Sequence, residues 1–427
     1  MATSEFARLP GFRDFPPEDF ALRSHIQSSW RRVSRRYGFS EYDGPPLEPL
    51  GLYVEKSGEE IVGQLYNFTD KGDRAVALRP EMTPSLARIL GDRSRGMSKP
   101  IRWFSMPQLF RYERQQRGRL REHFQWNVDI VGEGGVAADA EVLAVAIDGL
   151  RELGLGPEDF AARVSDRRLL GAVLRSAGVS EAHISAAFAL IDKIERMPEG
   201  KAVDLLQADL GLEKAQAERL MGLLETTDLD ELLKRFGGED EVAPHLDRLT
   251  TYVETLRSMG LGDFVQVDLR IVRGLAYYTG IVFELFDRKG ELRAICGGGR
   301  YDRLLELVGG EALPAVGFGM GDVVLGELLS ERGLVPEHAP SVEYFIVPVT
   351  ADQRPQALSL AHDLREKGRS VAYALRDQGV GKQMKAATRE GARTVLILGP
   401  DEVAEGVVVV RDMTSGEESR IEPGDLA

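Results

Sequence analysis

The stretch LFRYERQQRGRLREHFQW runs from Leu109 to Trp126 and contains the strongest hairpin pattern in the first part of the chain. Alternating residues at its two ends predict strands, and the polar segment QQRGRLRE between them predicts the turn of a hairpin. Five arginines stand within eleven residues here, at positions 111, 114, 117, 119 and 121. Guanidinium groups bind phosphate oxygens in pairs, and aromatic rings stack on nucleobases. The stretch predicts either a phosphate site or a solvated loop with ion pairs across the hairpin.

The whole chain has the opposite charge. It carries 54 Lys and Arg against 68 Asp and Glu in 427 residues, a net charge of −14. This argues against a protein that coats DNA, but it leaves RNA binding open, because affinity depends on where the positive charge lies. No apolar run reaches ~18 residues, so we expect no membrane span. We also expect no secretory signal.

Residue types limit the other classes of site. Cys296 is the only cysteine, which excludes an intrachain disulfide and suits a reducing cytoplasm. The six histidines show no spacing typical of metal ligands, so no protein-bound metal is predicted. We therefore expect a cytoplasmic protein without a membrane or DNA partner.

The length predicts two or three domains. Residues 1–165 mix helical and strand patterns, and 166–250 are rich in Ala, Leu, Glu and Lys at helical spacing, which predicts an inserted helical module. A linker with two prolines follows at 332–342, and the remainder alternates strand and helix. That rhythm predicts a small α/β domain with parallel strands.

Local patterns predict individual elements in the first domain. Residues Met82 to Ile89 are expected to form a helix, with Thr83 as its N-cap before Pro84. The other predictions that matter below are strands at Ile61–Phe68, Ala75–Leu78, Ile101–Phe104 and Tyr277–Phe286, and helices at Glu18–Tyr37, Ala138–Leu153 and Asp322–Leu329.

Two further stretches carry polar chemistry. LRPEMTP places Glu81 and Thr83 two residues apart at a strand-to-helix junction, where they could hold an ammonium group or cap the helix. VRGLAYYTG supplies a fixed cation, Arg273, and a hydroxyl, Tyr278, although it could equally be a bulge with packed aromatic rings.

Two glycine-spaced stretches complete the set. CGGGRYDRLL begins at Cys296 and AVGFGMGD at Ala315. Their glycines allow a backbone to approach a ligand closely before a helix begins, or simply allow close packing. The spacing fits neither the dinucleotide-binding GxGxxG pattern nor the P-loop, which needs a lysine.

The order and spacing of these five stretches resemble those of the histidyl-tRNA synthetases, a class II aminoacyl-tRNA synthetase family. The helix before DGPPLEP resembles motif 1, FRYER through DIVG motif 2, and AVGFGMG the start of motif 3, while RGLAYYTG and GGGRYD resemble the two histidine-specific signatures. The resemblance implies an α+β fold. An antiparallel-sheet catalytic domain would occupy 1–165 and 251–332, a helical insertion 166–250, and an α/β anticodon-binding domain 341–427.

The resemblance also implies a function, the ATP-dependent ligation of L-histidine to tRNA(His) through a histidyl-adenylate. Mg²⁺ would assist, and motif 1 would form a homodimer. Arg111 and Arg273 would be catalytic, gripping the α-phosphate from two sides. Asp129 and Tyr278 would contact the two imidazole nitrogens, because a ring with one donor and one acceptor needs such a mixed pair.

The implied contacts form two sets. Histidine would be bound by Glu81, Met82, Thr83, Gln125, Asp129, Tyr277 and Tyr278. ATP would be bound by Arg111, Arg119, Arg121, Phe124 and Arg273. In the tail, Arg376–Arg393 holds five basic and two acidic residues, which predicts a tRNA-facing surface or a solvated helix.

Two departures from the family pattern keep a second hypothesis open. Ala276 stands where the family usually has Asp, and Val323-Val324 stand where it has Glu-Arg, whose arginine grips the ATP γ-phosphate. These changes favour a non-catalytic paralog, the histidine-sensing regulatory subunit of ATP phosphoribosyltransferase. The anticodon-like domain favours the synthetase, because that paralog usually lacks the C-terminal domain. The retained Arg111, Arg119 and Arg273 favour the synthetase as well.

Overall fold

The structure is a computed structural model that describes residues 6–57, 59–114, 116–198, 200–273, 277–307, 310–337 and 341–426. The chain divides into two compact units, Met1–Pro336 and Glu337–Ala427. No helix in these ranges is long and apolar enough to cross a membrane.

The larger unit combines strands and helices throughout. Its strands are β1 Ser40–Glu41, β2 Leu47–Pro49, β3 Asn67–Thr69, β4 Ala75–Leu78, β5 Ile101–Ser105, β6 Gln108–Phe110, β7 Glu122–Val131, β8 Phe160–Asp166, β9 Val265–Val267, β10 Ile281–Asp287, β11 Cys296–Arg300 and β12 Ala315–Gly321. Its helices are α1 Pro17–Arg36, α2 Gly51–Ser57, α3 Thr83–Arg93, α4 Val136–Arg151, α5 Arg167–Ser176, α6 Ile184–Ile191, α7 Lys201–Leu210, α8 Lys214–Leu224, α9 Leu229–Phe236, α10 Ala243–Ser258, α11 Leu304–Leu307 and α12 Asp322–Glu331.

The main sheet of this unit is mostly antiparallel. Within the described residues its order is β1-β5-β7-β12-β11-β10-β8-β9, with β6 paired to β7. Only the outer pairs β1–β5 and β8–β9 run parallel. A separate small sheet has the order β2-β4-β3. The resemblance implies a mainly antiparallel sheet in this part of the chain, so the expectation of an α+β fold is confirmed.

Large apolar side chains fill the space between one face of this sheet and the helices α1, α4 and α12. Trp126 of β7 stacks on Trp30 of α1 with ring centroids 5.8 Å apart, and Phe318 of β12 meets Trp126 edge-on at 5.0 Å. Gly149 of α4 leaves room for the Trp126 ring. Such aromatic pairs add roughly 0.5–1.5 kcal/mol each beyond their buried area, so this face is a rigid support.

Helices α5 to α10 follow β8, and the described residues between β8 and β9 contain no strand. Apolar residues at helical spacing pack these helices together, and the contact of α10 with α4 joins them to the main core. The helical pattern of the sequence is thus real, and it extends to Ser258.

The smaller unit has its own sheet and core. Its elements are β13 Tyr344–Pro348, α13 Arg354–Glu366, β14 Val371–Tyr373, α14 Val380–Arg389, β15 Thr394–Leu398, α15 Pro400–Glu405, β16 Val408–Asp412 and β17 Glu418–Ile421. The strand order is β14-β13-β15-β16-β17. The first three strands are parallel, as predicted, whereas β16 and β17 are antiparallel.

Several element predictions were wrong in detail. Residues Glu59–Gln64 form a 3-10 helix, so most of the strand expected over Ile61–Phe68 is absent. Thr83 is the first residue of α3 and makes no side-chain cap, because Met82 occupies the N-cap position. The strand after the paired tyrosines begins only at Ile281, and β8 has no counterpart among the predictions.

Candidate active site

Four glycines form a patch without side chains on the face of the main sheet opposite to α1, α4 and α12. In the β11–β12 ladder Gly297 lies opposite Gly319, and Gly299 lies opposite Gly317. Residues directly opposite each other and residues two apart share a face. The glycines of CGGGR are therefore a buried strand rather than a loop before a helix. Because they lack side chains, they leave space above this face of the sheet.

The side chains of four predicted site residues occupy the space that these glycines leave. A Cβ at Gly317 would overlap with Asp129, and a Cβ at Gly319 would lie 2.7 Å from Gln125 Cδ. A Cβ at Gly297 would overlap with the Arg273 guanidinium, and a Cβ at Gly299 would lie 3.0 Å from Tyr278 Cδ1. The structure thus brings Gln125, Asp129, Arg273 and Tyr278 together.

Asp129 is a buried carboxylate at the bottom of this patch. Its side chain accepts a hydrogen bond from the hydroxyl of Tyr301. Burial raises the pKa of Asp129 to about 7, although the Tyr301 hydrogen bond acts in the opposite direction. Desolvation disfavours the charged form of a carboxylate. A ligand group that donates a hydrogen bond to Asp129 would replace the hydrogen bonds to water that the buried carboxylate has lost.

Arg273 lies at the edge of the patch in an uncommon backbone conformation, with φ at +56°. Its Nη1 donates to Glu284 Oε1 at 2.8 Å. Glu284 stands opposite Gly297 in the β10–β11 ladder, so the ion pair lies on the same face. Burial lowers the pKa of Arg273, but Tyr278 and Glu284 outweigh this effect and keep its pKa above the ordinary value.

Two tyrosines adjoin this cation. The rings of Tyr277 and Tyr278 lie 4.7 Å apart, and Tyr277 meets Tyr301 edge-on at 5.9 Å. Burial is the main cause that raises the pKa of both Tyr277 and Tyr278, and the charge of Glu81 adds to it. Glu81 therefore lies within electrostatic reach of the tyrosines, which places the LRPEMTP junction beside the patch.

Arg111 links the hairpin to that same junction, because its Nε donates to the carbonyl of Pro80 at 3.1 Å. Arg119 pairs with Glu113. The Arg121 guanidinium lies 4.5 Å from the centre of the Tyr112 ring. The sequence left open a phosphate site or a loop with ion pairs. Arg119 has an ion pair within the hairpin loop, as the second alternative predicts, while Arg111 faces the Glu81 segment.

His123 is a residue that the sequence predictions missed. It lies on the glycine face of β7, where its ring is the nearest group to Gly321. Burial, followed by the charges of Arg111, Arg13 and Arg119, lowers its pKa to about 3. The ring is therefore a neutral aromatic surface at pH 7 among cations. Only the alternation of β7, counted back from Asp129, could have pointed to it.

Tyr301 and Glu284 were missed as well, and for a different reason. Tyr301 contacts Asp129, and Glu284 contacts Arg273, so each acts on a predicted site residue of another segment. Their positions depend on strand register. That register is a long-range property which the sequence pattern does not carry.

Phe124 and Met82 lie elsewhere, and the structure does not bring them into the patch. The Phe124 ring meets Phe15 at 6.0 Å and the Arg23 guanidinium at 4.6 Å, on the face of β7 opposite to Gln125. Met82 is fully buried, with its sulfur 3.8 Å from Arg79 Nη1. Strand alternation explains the position of Phe124, and the packing beneath the β4–α3 junction explains that of Met82.

The two departures in the sequence have different outcomes. Ala276 lies outside the described residues. Val324 is buried in the first turns of α12, and its Cγ2 would lie 3.1 Å from a Cβ at Gly118, in the hairpin loop. Glu327 of the same helix accepts the N–H of Gly118 at 3.1 Å. The loop thus rests on α12 at the position where the family has its arginine.

No group of three or more His, Cys, Asp or Glu side chains in the described part of the chain could hold a metal ion. A dedicated protein cage for Mg²⁺ is therefore not among the features of this patch. Mg²⁺ is commonly bound through substrate phosphates with one or two carboxylates, and that mode fits the residues present.

Comparison with known proteins decides the family. The model of the family described as Histidyl-tRNA synthetase matches residues 11–321, and the model described as Anticodon binding domain matches 343–427. The chain belongs to the histidyl-tRNA synthetase family. The first match covers every strand of the patch, and the second covers the smaller unit.

Individual relatives agree with this membership over nearly the full length. The histidine–tRNA ligase of Opitutus terrae is 45% identical over 424 residues, which cover 99% of this chain and 96% of that one. The chloroplastic/mitochondrial histidine–tRNA ligase of Arabidopsis thaliana is 43% identical, with coverages of 97% and 85%. A crystal structure of the family member from a Nostoc species superposes with a TM-score of 0.83 at 26% identity, covering 98% and 97% of the two chains.

Proposed function

We propose that this protein is a histidine–tRNA ligase that activates L-histidine with ATP and Mg²⁺ in the glycine patch and then transfers the histidyl group to tRNA(His). Ligation of histidine to tRNA follows from family membership across the whole chain. The observation that carries the site is the convergence of Gln125, Asp129, Arg273 and Tyr278 over four glycines.

Histidine would lie on the patch with its imidazole towards Asp129. The carboxylate accepts the N–H of one ring nitrogen, and Tyr278 serves the other with its hydroxyl. Tyr301 already donates to Asp129 and so fixes its orientation before the ligand arrives. Glu81, with Thr83 and Gln125, would receive the α-ammonium group, because the LRPEMTP junction adjoins the tyrosines. An amino acid without a suitable N–H would leave the buried Asp129 carboxylate unpaired, and this cost would make the site selective for histidine.

Activation is an in-line attack of a histidine carboxylate oxygen on the ATP α-phosphorus. The new P–O bond forms as the bond to the bridging oxygen breaks, and pyrophosphate leaves with that electron pair. Negative charge builds on the α-phosphate oxygens, so fixed cations on either side stabilise the transition state. Arg111, beside Pro80, and Arg273, beside Glu284, are the cations we assign to these positions.

The triphosphate also needs charge that Val324 does not supply. Arg119 is the first candidate, since its partner Glu113 belongs to the same loop and can be exchanged for phosphate. Arg114, which is exposed, and Arg117, which pairs with Glu331 at 2.7 Å, are the reserves. Mg²⁺ would enter with ATP and spread the charge over the phosphates. His123 would lie against the nucleotide instead of Phe124, because it is the aromatic ring on the patch face.

The smaller unit is proposed to bind tRNA. A cleft of about 540 Å³ is lined by Tyr373, Leu375, Arg376, Lys382, Lys385 and Arg389. Leu375 is 81% exposed at its mouth. Unstacked bases bind to aromatic and guanidinium surfaces while lysines hold the phosphates, so this chemistry suits a single-stranded loop of RNA. We further propose that the enzyme works as a homodimer in the cytoplasm, where its buried free thiol, Cys296, stays reduced.

Histidine-dependent exchange of pyrophosphate into ATP tests the proposal on the purified full-length chain. Exchange with histidine, none with glutamine or phenylalanine, and charging of tRNA(His) are the expected results. Arg111→Ala should abolish exchange, whereas Arg175→Ala, on exposed α5 surface, should not. Histidine binding without exchange at millimolar ATP and Mg²⁺ would instead support the regulatory paralog, which the substitution at Val324 favours.

A further inference from the structure

The first two residues of α5 contact both ends of the segment that carries Arg273 and the paired tyrosines. Arg167 Nη1 donates to the carbonyl of Val272 at 3.0 Å and to that of Arg273 at 2.9 Å. At the other end Arg168 Nε donates to the carbonyl of Thr279 at 2.7 Å. The helical segment α5–α10 thus begins with a clamp on active-site backbone.

The Arg167 contacts control the conformation of one residue in particular. The Val272 carbonyl belongs to the peptide group before Arg273, and the Arg273 carbonyl belongs to the peptide group after it. Fixing both groups fixes φ and ψ of Arg273. A φ of +56° is unfavourable for a residue with a Cβ, and it persists only where the surroundings hold it. Arg167 supplies that restraint.

Arg167 is itself held in place. Its backbone N–H donates to the carbonyl of Gly280 at 3.0 Å, and its guanidinium lies 4.8 Å from the centre of the Phe188 ring in α6. The side chain is only partly exposed. A cation stacked on an aromatic ring loses less entropy when it forms hydrogen bonds, so the clamp is preorganised.

Arg168 extends the clamp towards the imidazole end of the patch. Its Nη2 donates to Asp302 Oδ2 at 2.9 Å, and the Thr279 hydroxyl donates to the same oxygen at 3.0 Å. Asp302 directly follows Tyr301, the donor to Asp129. The backbone of the tyrosine segment is therefore tied to the strand end that orients Asp129.

We propose that Arg167 is a positioning residue for histidine activation, which places the Arg273 guanidinium by holding both of its peptide groups, while Arg168 does the same for the tyrosine end. The inserted helices are thereby a structural part of the active site. The inference rests on the role proposed above for Arg273. Displacing a transition-state cation by 1 Å can cost up to about 10²-fold in rate.

Steady-state exchange kinetics on four full-length variants test this. Arg167→Met should lower kcat about 10- to 100-fold while the KM for histidine changes little. Arg167→Lys should recover much of the rate, because a single nitrogen makes both hydrogen bonds. Arg175→Met is the matched control on the same helix, and it should behave as wild type. Arg167→Gln replaces Arg167→Met should that variant fail to fold.

A double-mutant cycle separates positioning from a general loss of structure. If Arg167 acts through Arg273, the variant Arg167→Met/Arg273→Met should be no slower than Arg273→Met alone. If the rate losses of the two single variants multiply in the double variant, the proposal is overturned. It is also overturned if Arg167→Met has the kcat of wild type per titrated active site. If Arg273→Met itself exchanges at the wild-type rate, the role proposed for Arg273 fails instead.

Discussion

Gly317 lies directly opposite Asp129 in the β7–β12 ladder, and a methyl group at position 317 would overlap with the Asp129 carboxylate. A methyl group at position 297, on the neighbouring strand, would likewise overlap with the Arg273 guanidinium. The glycines are therefore part of the site, because their missing side chains are the volume in which its charged groups lie.

Gly317→Ala should consequently remove histidine binding although it touches no ligand. The added methyl displaces Asp129 from its place beside Tyr301, and a buried imidazole nitrogen loses its acceptor. We expect a loss of roughly 2–4 kcal/mol in histidine affinity, similar to that of Asp129→Ala. Calorimetric titration with histidine measures it. Gly222→Ala, in open space on α8, is the matched control, and equal affinity in both variants would contradict the role of Gly317.

For this candidate site the sequence indicated individual residues but not their arrangement. Arg273 and Tyr278 stood out in the linear pattern, whereas Asp129 was assigned only through the resemblance to a family. The glycine stretch at Cys296 was expected to approach a ligand before a helix begins, but its backbone is a strand between β10 and β12. β12 in turn pairs with the distant β7, which carries Asp129. Strand register of this kind depends on packing between distant segments.

The differences between the expected and the observed positions have equally local causes. Phe124 was assigned to ATP because aromatic residues suit nucleobases, yet β7 alternates, and Trp126 fixes the face of Phe124 towards the helices. His123 was overlooked because a histidine outside a ligand pattern carries no signal. Arg167 was overlooked because its contacts are with a segment more than 100 residues later in the chain.

Asp129→Asn should change the pH dependence of stability. The folded pKa of about 7 lies above the ordinary 3.8, so the carboxyl stabilises the fold most at low pH. This contribution is lost as the pH rises from about 4 through 7. Asparagine removes the loss, so the variant should gain roughly 1–3 kcal/mol relative to wild type between pH 5 and pH 8.

Urea denaturation at pH 5 and pH 8 checks this expectation for wild type and Asp129→Asn. The difference between the two proteins, rather than either slope, is the informative quantity, because Asp139 also has a raised pKa, about 6. A difference that is the same at both pH values would show that Asp129 ionises normally in the folded protein.

Arg273→Ala should lower the rate of adenylate formation by about 10²-fold or more, with a smaller effect on histidine affinity, because its charge acts on the transition state. Arg273→Lys should restore little, since an ammonium group lacks the planar fork with which a guanidinium can bind Glu284 and a phosphate at once. Stopped-flow measurement of the first turnover reports this step directly. Normal adenylate formation in Arg273→Ala would remove the residue from the mechanism.

A chain that ends at Glu337 should still form histidyl-adenylate but charge tRNA poorly. The larger unit has its own core and contains every residue of the glycine patch, so its folding does not need the smaller one. Charging should fall because the contacts of the cleft at Tyr373 and Lys385 are lost. Exchange and charging assays on the same preparation test both halves, and equal charging would argue against tRNA binding by the smaller unit.

Val324→Arg restores the charge that the family has at this position, and we expect it to harm rather than help. Val324 is 7% exposed, packed in the main core and covered by Gly118 of the arginine-rich loop. An arginine must either stay buried without a partner, which is costly, or push the loop away from Glu327. Either outcome lowers Tm and raises the KM for ATP, because Arg119 moves with the loop. Ser330→Arg, exposed on the same helix, controls for added charge. Tighter ATP binding at an unchanged Tm would mean instead that position 324 faces the phosphates and that Arg119 does not supply the missing cation.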